Sequence, residues 1–379
     1  MGNRPQRLAR LPQQYFVGLL ARVAAASAER GEAVVDLGRG NPDIGPPPHV
    51  VEALTRAAAS PSAHGYSPIR GLAATKRAVA RRYRDVYGVE LDPEREVAVV
   101  PGTKSAIVDL AAALADPGET ILLPDPYYPD YLSGVALADA RLGTVPLDPA
   151  AGWAPDLEGA PAAAALFLNY PSNPCAVCAP AGTFDAAVHW ANRTGGAVVH
   201  DAAYADIVFD GRSPESFLAT DGAKDVGVEM WSMSKTYGMA GWRVGFVVGN
   251  AEIVERVNVL NDHTRVGIFA AVEAATIAAL EGPQDSVAER VATYQRRRDL
   301  LAGALPGPIT CEGTFFLWLR LPDGVTAERL LEEERIAVAP GTGFGPGGAG
   351  WARLSLAVPD EVVEEAVRRL SRVFERVAV

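Results

Sequence analysis

Cysteine is scarce in this chain: only Cys175, Cys178 and Cys311 occur among 379 residues. Three thiols are too few for a disulfide framework in a chain of this size. Cys175 and Cys178 form a C-x-x-C pattern, but neither a second pair of metal ligands nor a thioredoxin-like context accompanies it. We therefore interpret these cysteines as small buried side chains in a loop, and we predict no metal site.

Long apolar runs are also missing. No run approaches the roughly 18 to 20 residues that a helix needs to cross a bilayer. The N-terminal segment MGNRPQRLARLPQQYF is charged and contains no apolar stretch typical of an export signal. These absences predict a soluble protein located in the cytoplasm.

A basic surface is the third absence. The formal net charge is −11, with 35 Lys and Arg against 46 Asp and Glu. The basic residues are spread along the chain and form no stripe, which argues against binding to nucleic acid or to an anionic membrane surface. We predict neither kind of partner.

What the chain does contain is a regular alternation of short apolar runs and amphipathic stretches. Between residues 96 and 249 the runs are EVAVVPG, TILLPDP, ALFLNYP, AVVHDAAY, VEMWSMSK and WRVGFVVGN. Such alternation favours an α/β fold, with a largely parallel sheet between helices on both faces. At 379 residues and 49% hydrophobic, the chain is long enough for two cores.

The pattern changes after residue 282, which predicts a second, smaller α+β domain. A long charged helix is expected over 285–301, then strands in FFLWLRLP, IAVAP and ARLSLA, then a closing helix from Asp360. An N-terminal helix over about 11–30 is expected to end at Gly31. We predict an N-terminal arm (1–46) that joins the small domain, a large domain (47–282) and a C-terminal small domain (283–379).

Polar residues suited to chemistry follow most of the apolar runs directly. In open α/β sheets, ligands bind outside the carboxyl ends of the strands, so residues far apart in sequence converge there. These residues are Gly102, Thr103, Lys104, Tyr128, Asn173, Asp201 and the segment 232–235. We expect them to form one site.

The densest signal is the segment SMSKTYGMAGWRVG, in which Lys235 follows an apolar strand and Arg243 lies eight residues further on. It resembles the pyridoxal-phosphate (PLP) attachment segment of class I and II aminotransferases, in the aspartate aminotransferase superfamily. Matching segments run in family order from Gly40 to Arg353, and the resemblance is nearest to diaminopimelate and alanine-type aminotransferases. It implies fold type I: a large domain with a mostly parallel seven-stranded sheet between helices, plus a smaller α+β domain.

The resemblance assigns the catalytic groups. Lys235 matches the lysine that bonds to the cofactor aldehyde and moves the proton at the substrate Cα. Asp201 matches the carboxylate that keeps the pyridine nitrogen protonated, so that the ring can accept electrons. Tyr204 and Asn173 match the two donors to the phenolic oxygen, and Tyr128 matches the aromatic residue stacked on the ring.

A second group of residues matches the family's phosphate site. The turn PGTKSAI begins a predicted helix, where backbone N–H groups and the helix dipole favour an anion. The matching residues are Gly102, Thr103, Lys104, Ser232 and Arg243. Tyr66 resembles the tyrosine that crosses the dimer interface to the neighbouring subunit's phosphate, which implies a homodimer with shared active sites.

Substrate contacts follow from the same resemblance. Arg353, in WARLSLA, matches the arginine that clamps the substrate α-carboxylate with two parallel hydrogen bonds. Gly40, Asn41, Tyr15 and Asn173 match positions on the substrate side of the site. Side-chain selectivity is expected around Tyr15, Phe16, Asn41, Tyr66 and residues 262–267.

Three places depart from the family pattern or invite another interpretation. Cys175 and Ala176 replace the usual Thr-Gly after Asn-Pro, which predicts a changed turn with the chemistry kept. Arg265 either lies at the surface or an interface, or reaches a neighbour's site to pair with an acidic substrate. GTGFGPGG contains G-x-G-x-x-G, but a strand follows it instead of a helix, so we interpret it as a flexible loop.

The resemblance implies a PLP-dependent aminotransferase that moves the amino group of an amino acid to a 2-oxo acid by a ping-pong mechanism. An alternative is another PLP-dependent reaction on the same scaffold, such as β-elimination, cyclisation or oxidation in a specialised biosynthetic pathway. A binding-only sensor is a further alternative, although it would have little use for both Lys235 and Arg353. The amino donor and acceptor stay open, with glutamate and 2-oxoglutarate suggested by resemblance alone.

Overall fold

The structure is a computed structural model that describes residues 5–30 and 33–377. The α-helices of these residues are α1 (Gln6–Ala9), α2 (Tyr15–Arg30), α3 (Pro48–Ala58), α4 (Ala73–Arg82), α5 (Thr103–Leu114), α6 (Tyr131–Leu137), α7 (Thr183–Thr194), α8 (Ala223–Val226), α9 (Met233–Thr236), α10 (Ala251–Thr264), α11 (Ala270–Glu281), α12 (Asp285–Ala304), α13 (Ala327–Glu334) and α14 (Asp360–Val377). The strands are β1 (Val35–Asp36), β2 (Val97–Val100), β3 (Thr120–Asp125), β4 (Arg141–Asp148), β5 (Ala154–Pro155), β6 (Ala165–Asn169), β7 (Ala197–Asp201), β8 (Gly227–Ser232), β9 (Gly245–Gly249), β10 (Ile309–Thr310), β11 (Phe316–Arg320), β12 (Ile336–Ala337), β13 (Ala339–Pro340) and β14 (Trp351–Ser355).

The large sheet has eight strands, in the order β2-β9-β8-β7-β6-β3-β4-β5. The five strands from β8 to β4 in this order run parallel, whereas β9, β2 and β5 pair antiparallel with their neighbours. The predicted α/β fold of type I is thus confirmed, but the predicted count of seven strands is wrong. The two-residue strand β5 adds an eighth at the edge, where Leu147 pairs with Pro155.

The strands of the large sheet are buried on both faces. In β2, Val97 and Val99 belong to one hydrophobic cluster, and the alternate residues Ala98 and Val100 belong to another. Strands covered on both sides are made almost wholly of apolar residues, which is why the sequence shows them as continuous runs. Packing on both faces fixes the backbone of the sheet. The side chains at its carboxyl edge therefore extend from fixed backbone positions.

The C-terminal part forms its own antiparallel sheet, in the order β10-β11-β14-β13. The short strand β1 pairs parallel with β12, so the N-terminal segment lies against this C-terminal part. Helix α2 begins at Tyr15 instead of residue 11, and its predicted end at Gly31 lies outside the described residues. Helix α12 continues to Ala304, beyond the predicted residue 301, and α14 begins at Asp360 as predicted.

The glycine-rich segment GTGFGPGG forms two 3₁₀ turns, Gly341–Phe344 and Pro346–Gly348, and leads into strand β14. A Cβ added at Gly341 would come within 2.1 Å of the Gly348 carbonyl oxygen. The backbone therefore packs closely on itself in this segment, and the predicted flexibility stays a prediction. The absence of a following helix agrees with the dismissal of a dinucleotide site.

The cysteines are all free. Cys175 is buried, as predicted, but Cys178 is only half-buried and its backbone N–H donates to Glu312. Cys311 is buried as well. Ala176 adopts a left-handed conformation with φ 58° in the turn that follows Asn173. Among the described helices, none combines the length and the apolarity that crossing a membrane requires.

Candidate active site

A cavity of about 190 Å³ lies at the carboxyl ends of the parallel strands. Asn169 ends β6, Asp201 ends β7 and Ser232 ends β8, so three neighbouring strands deliver polar side chains to the same edge. The lining residues are Phe16, Gly40, Thr103, Lys104, Tyr128, Asn169, Asn173, Asp201, Ala203, Tyr204, Lys235, Phe316 and Arg353. This is the convergence that open α/β sheets produce at their carboxyl edge.

The amine of Lys235 points into the cavity. Its Nζ donates a hydrogen bond to the Gly40 carbonyl oxygen at 3.1 Å. Burial and the positive charges of Arg353 and Arg243 lower the pKa of Lys235 to about 8, against the opposing effect of Asp201. An amine with this pKa is partly neutral near pH 7 to 8, and only the neutral form is a nucleophile or a proton acceptor.

Asp201 is a buried carboxylate at the floor of the cavity. Its Oδ2 accepts from the Tyr131 hydroxyl at 2.8 Å, and its Oδ1 accepts from the Ala203 backbone N–H at 3.1 Å. Burial raises the pKa of Asp201, and the hydrogen bond from Tyr131 opposes that rise. A carboxylate held in this way is ready to balance a cationic group placed beside it.

Arg353 lies opposite, buried among aromatic rings. Its guanidinium donates to Asn173 Oδ1 at 2.7 Å and to the Gly38 carbonyl oxygen at 3.2 Å. The guanidinium carbon is 3.8 Å from the centre of the Phe316 ring and 4.8 Å from that of Phe344. Burial lowers the pKa of Arg353 to about 10, which still leaves it positively charged at neutral pH. Its Nε is buried and has no hydrogen-bond partner among the described atoms.

The N-terminus of α5 meets an arginine beside the cavity. Gly102 precedes the helix with φ 85°, and a Cβ at this position would come within 2.2 Å of Arg243 Nη2. Thr103, the first residue of α5, lines the cavity. The free N–H groups of this 12-residue helix and the Arg243 guanidinium make an electropositive cradle suited to an anion.

Asp130 accepts hydrogen bonds from three side chains around the site. Its carboxylate accepts from the Tyr128 hydroxyl at 2.6 Å, from Lys104 Nζ at 2.8 Å and from Gln14 Nε2 at 3.0 Å. The Tyr128 ring is therefore fixed in orientation, and Lys104 has a partner in this state. Because Gln14 precedes α2, the N-terminal segment is attached at the same point.

The structure brings most of the sequence-predicted residues together. The ten that line the cavity are Phe16, Gly40, Thr103, Lys104, Tyr128, Asn173, Asp201, Tyr204, Lys235 and Arg353. Gly102 and Arg243 lie beside it at the α5 cradle, and Ser232 caps α9 by accepting from the Ser234 N–H at 3.1 Å.

Three predicted residues lie outside the cavity of their own chain. The Tyr15 hydroxyl donates to the Pro340 carbonyl oxygen at 2.9 Å, and Asn41 is exposed. Tyr66 is 91% exposed, so it does not contribute to the cavity of its own subunit.

Arg265 is engaged within its own chain. Its two terminal nitrogens each lie 2.6 Å from an oxygen of Asp109, and one of them also donates to Asn261 at 3.0 Å. A bidentate pair of this kind fixes both partners. Of the two interpretations that the sequence allowed, this contact favours a structural arginine near the surface.

Sequence reasoning missed four residues of the site: Asn169, Tyr131, Asp130 and Phe316. Asn169 bridges two functional segments, because its Nδ2 donates to the Asp201 carbonyl oxygen at 2.8 Å and its Oδ1 accepts from the Asn173 N–H at 2.7 Å. The signal for Asn169 was its place at the end of an apolar run. Asp130 and Tyr131 follow Tyr128 in YYPDY, and the aromatic and acidic character of that segment was the only local hint.

Comparison with known proteins shows the family of this chain. The model of the family described as aminotransferase class I and II matches residues 32–370. The chain is 44% identical to L-glutamine–4-(methylsulfanyl)-2-oxobutanoate aminotransferase of Bacillus subtilis, covering 96% of this chain and 95% of that one. It is 40% identical to LL-diaminopimelate aminotransferase of Desulforudis audaxviator, covering 98% of each. The substrate-bound structure of BacF from Bacillus subtilis superimposes with a TM-score of 0.92 at 36% identity, over 98% of both chains.

Proposed function

Because the chain belongs to the class I and II aminotransferases, it is an enzyme that transfers an amino group between an amino acid and a 2-oxo acid, and we propose that it does so with PLP bound in the cavity at Lys235. The family implies this cofactor. The observation that carries the proposal is the meeting of the Lys235 amine, the Asp201 carboxylate and the Arg353 guanidinium in one cavity of about 190 Å³.

The residues present suit PLP group by group. The buried Asp201 carboxylate suits a protonated ring nitrogen, and the Lys235 amine, with its pKa of about 8, suits the aldehyde. The phosphate suits the cradle of Gly102, Thr103 and Arg243, to which Lys104 and Ser232 add an ammonium and a hydroxyl. The Tyr128 ring offers a stacking face. When bound, PLP supplies an electron sink for the electrons left on the substrate Cα.

The protein's own groups then divide the work. Arg353 binds the substrate α-carboxylate, using donors that include the unpartnered Nε. Asn173 Oδ1 accepts a hydrogen bond from Arg353, and Asn173 Nδ2 is proposed to donate, with the Tyr204 hydroxyl, to the phenolic oxygen. Lys235 Nζ accepts the proton that leaves Cα and returns a proton afterwards. Tyr15, Gly40 and Asn41 are proposed to border the substrate.

The test is to measure the absorbance of PLP-loaded enzyme before and after an amino donor is added, in wild type and in Lys235→Ala. Wild type is expected to lose the PLP absorbance with a donor and to recover it with a 2-oxo acid, with parallel lines in double-reciprocal plots as ping-pong kinetics require. Lys235→Ala is expected to do neither, whereas Lys224→Ala, a lysine paired with Glu96 away from the cavity, behaves as wild type. Turnover by Lys235→Ala at the wild-type rate would contradict the proposal.

We further propose that the active unit is a homodimer in which Tyr66 binds the phosphate in the partner's cavity. Tyr66 is 91% exposed, and the apolar side chains of Ile69, Val266 and Phe269 are exposed in the neighbouring segments. A large aromatic residue so fully in water suits a position that another protein surface covers.

Hybrid dimers test this arrangement. Lys235→Ala subunits are mixed with Tyr66→Phe subunits, after unfolding and refolding together. If Tyr66 serves the partner's cavity, the hybrid has one complete site, with Lys235 from one subunit and Tyr66 from the other, and it binds PLP there as tightly as wild type. If Tyr66 acts within its own chain or not at all, the hybrid keeps the PLP affinity of Tyr66→Phe.

For the substrate, we propose a 2-oxo acid with a neutral side chain. Within the part of the chain that the structure describes, the cations lining the cavity are Lys104, Lys235 and Arg353, and each already has a role. Phe16 and Phe316 give the cavity an apolar side. The similarity to an enzyme named for 4-(methylsulfanyl)-2-oxobutanoate supports this choice.

Comparison of acceptors tests the substrate proposal. With glutamine as donor, kcat/KM for 4-(methylsulfanyl)-2-oxobutanoate is expected to exceed that for 2-oxoglutarate by about tenfold or more, since a second carboxylate would be buried without a partner. A preference for 2-oxoglutarate would contradict it and would favour an additional cation supplied by the partner subunit.

The domain division and the location are also proposals. The pairing of β1 with β12 and the packing of Val35 and Leu37 in the cluster of the C-terminal sheet support an arm (1–46) that joins the small domain (283–379), with the large domain over 47–282. Free cysteines suit a reducing compartment, which supports a cytoplasmic enzyme.

A further inference from the structure

A buried cluster of polar side chains lies behind Lys235, outside the cavity. At its centre is Asp206, whose side chain is 2% exposed. The Oδ1 atom accepts from Arg82 Nη2 at 2.8 Å and from the Tyr87 hydroxyl at 2.9 Å, and Oδ2 accepts from the Thr236 hydroxyl at 2.9 Å. Each carboxylate oxygen thus has a buried donor, as a charge in this position requires.

The cluster joins two segments of the candidate active site. Asp206 lies two residues beyond Tyr204, and Thr236 directly follows Lys235. Helix α9, which carries Lys235, has only four residues and cannot be rigid on its own. The hydrogen bond from Thr236 to Asp206 therefore fixes the Lys235 turn to the loop that carries Tyr204. On the side that faces the cavity, Lys235 Nζ lies 5.7 Å from the centre of the Tyr204 ring.

A second contact supports the same turn one residue further on. The Tyr237 hydroxyl donates to Gln284 Oε1 at 2.8 Å. The Arg82 guanidinium lies 5.6 Å from the centre of the Trp231 ring and 5.8 Å from that of Tyr237, so it fills the space between strand β8 and this turn. The Arg82 side chain is only 8% exposed. Arg82 thus neutralises Asp206 and holds it in place.

We propose that Asp206 is a positioning residue for the transfer of the Cα proton. Through Thr236, Asp206 holds Lys235 Nζ at a fixed position relative to the Tyr204 hydroxyl. The freed amine is then already close to the substrate Cα when the proton is transferred. The proposal rests on the proposed role of Lys235 as the proton acceptor. Misplacement of a reacting group by about 1 Å can lower a rate by about a hundredfold, so a link of this kind has a measurable effect.

The test uses Thr236→Val in the PLP-loaded enzyme, because this change removes the hydroxyl but leaves the Arg82–Asp206 pair and the side-chain volume intact. We expect kcat to fall by about tenfold or more while KM changes by less than about twofold, since Arg353 still binds the carboxylate. The kinetic isotope effect with a Cα-deuterated donor is expected to rise, because proton transfer becomes slower relative to the other steps. Thr236→Ser keeps the hydroxyl and is expected to restore most of kcat and the wild-type isotope effect.

The matched control is Thr276→Val. Thr276 is also fully buried, but its hydroxyl donates to the Val272 carbonyl oxygen within α11. This control is expected to lose stability as Thr236→Val does, while keeping the wild-type kcat and isotope effect. Thr236→Ala, which adds no atoms, gives the same readings if the valine variant does not fold.

Two results would overturn the inference: a Thr236→Val enzyme with wild-type kcat and isotope effect, or a Thr236→Ser enzyme as impaired as Thr236→Val. Failure of the underlying function gives a different pattern, since Lys235→Ala would then still transaminate. If Lys235→Ala is inactive while Thr236→Val behaves as wild type, the proposed role of Asp206 is contradicted and the proposed role of Lys235 is kept.

Discussion

At the scale of single residues, the electrostatic surroundings of Lys235 decide when its amine is neutral. Burial contributes most to lowering the pKa to about 8, and the charge on Arg353 contributes next. A neutral amine attacks an aldehyde, whereas an ammonium does not. The protonation of Lys235 in the enzyme without cofactor should therefore control how fast PLP becomes bonded to it.

We expect the rate of covalent PLP uptake by the apoenzyme to rise with pH and to level off above about pH 8, far below the pH expected for an ordinary lysine. In Arg353→Met the loss of a positive charge raises the pKa of Lys235, so the midpoint moves to higher pH. Stopped-flow absorbance at a series of pH values measures it. Arg77→Met, which removes an exposed arginine on α4, serves as control, and an unmoved midpoint in Arg353→Met would contradict the assignment.

Residue identities at the site could be predicted from the sequence where a side chain follows a strand. Asp201 and Lys235 were found in this way, because the carboxyl edge of the sheet is implied by the apolar runs. Tyr131 was not found, because its contact with Asp201 joins positions 70 residues apart on α6 and β7. Asp206 was missed for the same reason: its partners are chosen by packing, which leaves no local pattern.

At the scale of elements, the start of α5 depends on a backbone conformation that few residues adopt. Gly102 has φ 85°, and the space where a Cβ would stand is occupied by the Arg243 guanidinium. The turn thus needs glycine twice, once for its backbone angle and once for the approach of the arginine. Because glycine has no side chain, the Arg243 guanidinium can approach the N-terminus of the helix.

Gly102→Ala is expected to raise the dissociation constant for PLP by about tenfold or more, since displacing Arg243 removes a charge-assisted contact to the phosphate. Gly118→Ala is a closely matched control, because Gly118 has φ 86° and nothing within 4 Å of an added Cβ. Gly118→Ala should lower the free energy of unfolding by about 1 to 2 kcal/mol, the cost of a left-handed backbone at alanine, and leave PLP binding unchanged. Absorbance titration and urea unfolding measure both. Equal PLP affinity in the two variants would refute the cradle.

The elements themselves were predictable where their residues are buried on both faces, as in β6 and β7. Strand β4 gives no continuous apolar run, because only Val145 and Leu147 of its residues are buried and the strand includes Arg141 and Asp148. The edge strand β5 has two residues, one of them a proline, and its pairing with β4 is decided by the turn between them. Short edge strands carry too few residues for a pattern.

At the scale of the whole molecule, one arginine joins three distant segments. Arg297 on α12 donates to Asp43 at 2.8 Å, to Asp360 at 2.6 Å and to the Leu356 carbonyl oxygen at 3.0 Å. Its side chain is only 9% exposed. The adjacent Arg296 contacts Asp360 as well, at 3.1 Å, but is 61% exposed. The two arginines therefore allow a comparison of a buried and an exposed guanidinium that share the partner Asp360.

Arg297→Met is expected to lower the free energy of unfolding by about 1 to 3 kcal/mol, because it leaves the Leu356 carbonyl without this donor and Asp43 with the Tyr294 hydroxyl alone. Arg296→Met should change it by less than about 1 kcal/mol, as is usual for exposed pairs. Urea denaturation followed by circular dichroism measures both. Similar losses in the two variants would show that Arg297 does not connect the segments as the contacts suggest.

The cavity at Lys235 takes its walls from residue 16 to residue 353 of a chain of 379. During synthesis, the ribosome releases Asp201 and Lys235 more than a hundred residues before it releases Arg353. A growing chain thus has the groups proposed for the cofactor well before it has the arginine proposed for the substrate. The order of translation keeps the lysine proposed as catalytic apart from the complete proposed substrate site until the C-terminal sheet has been made.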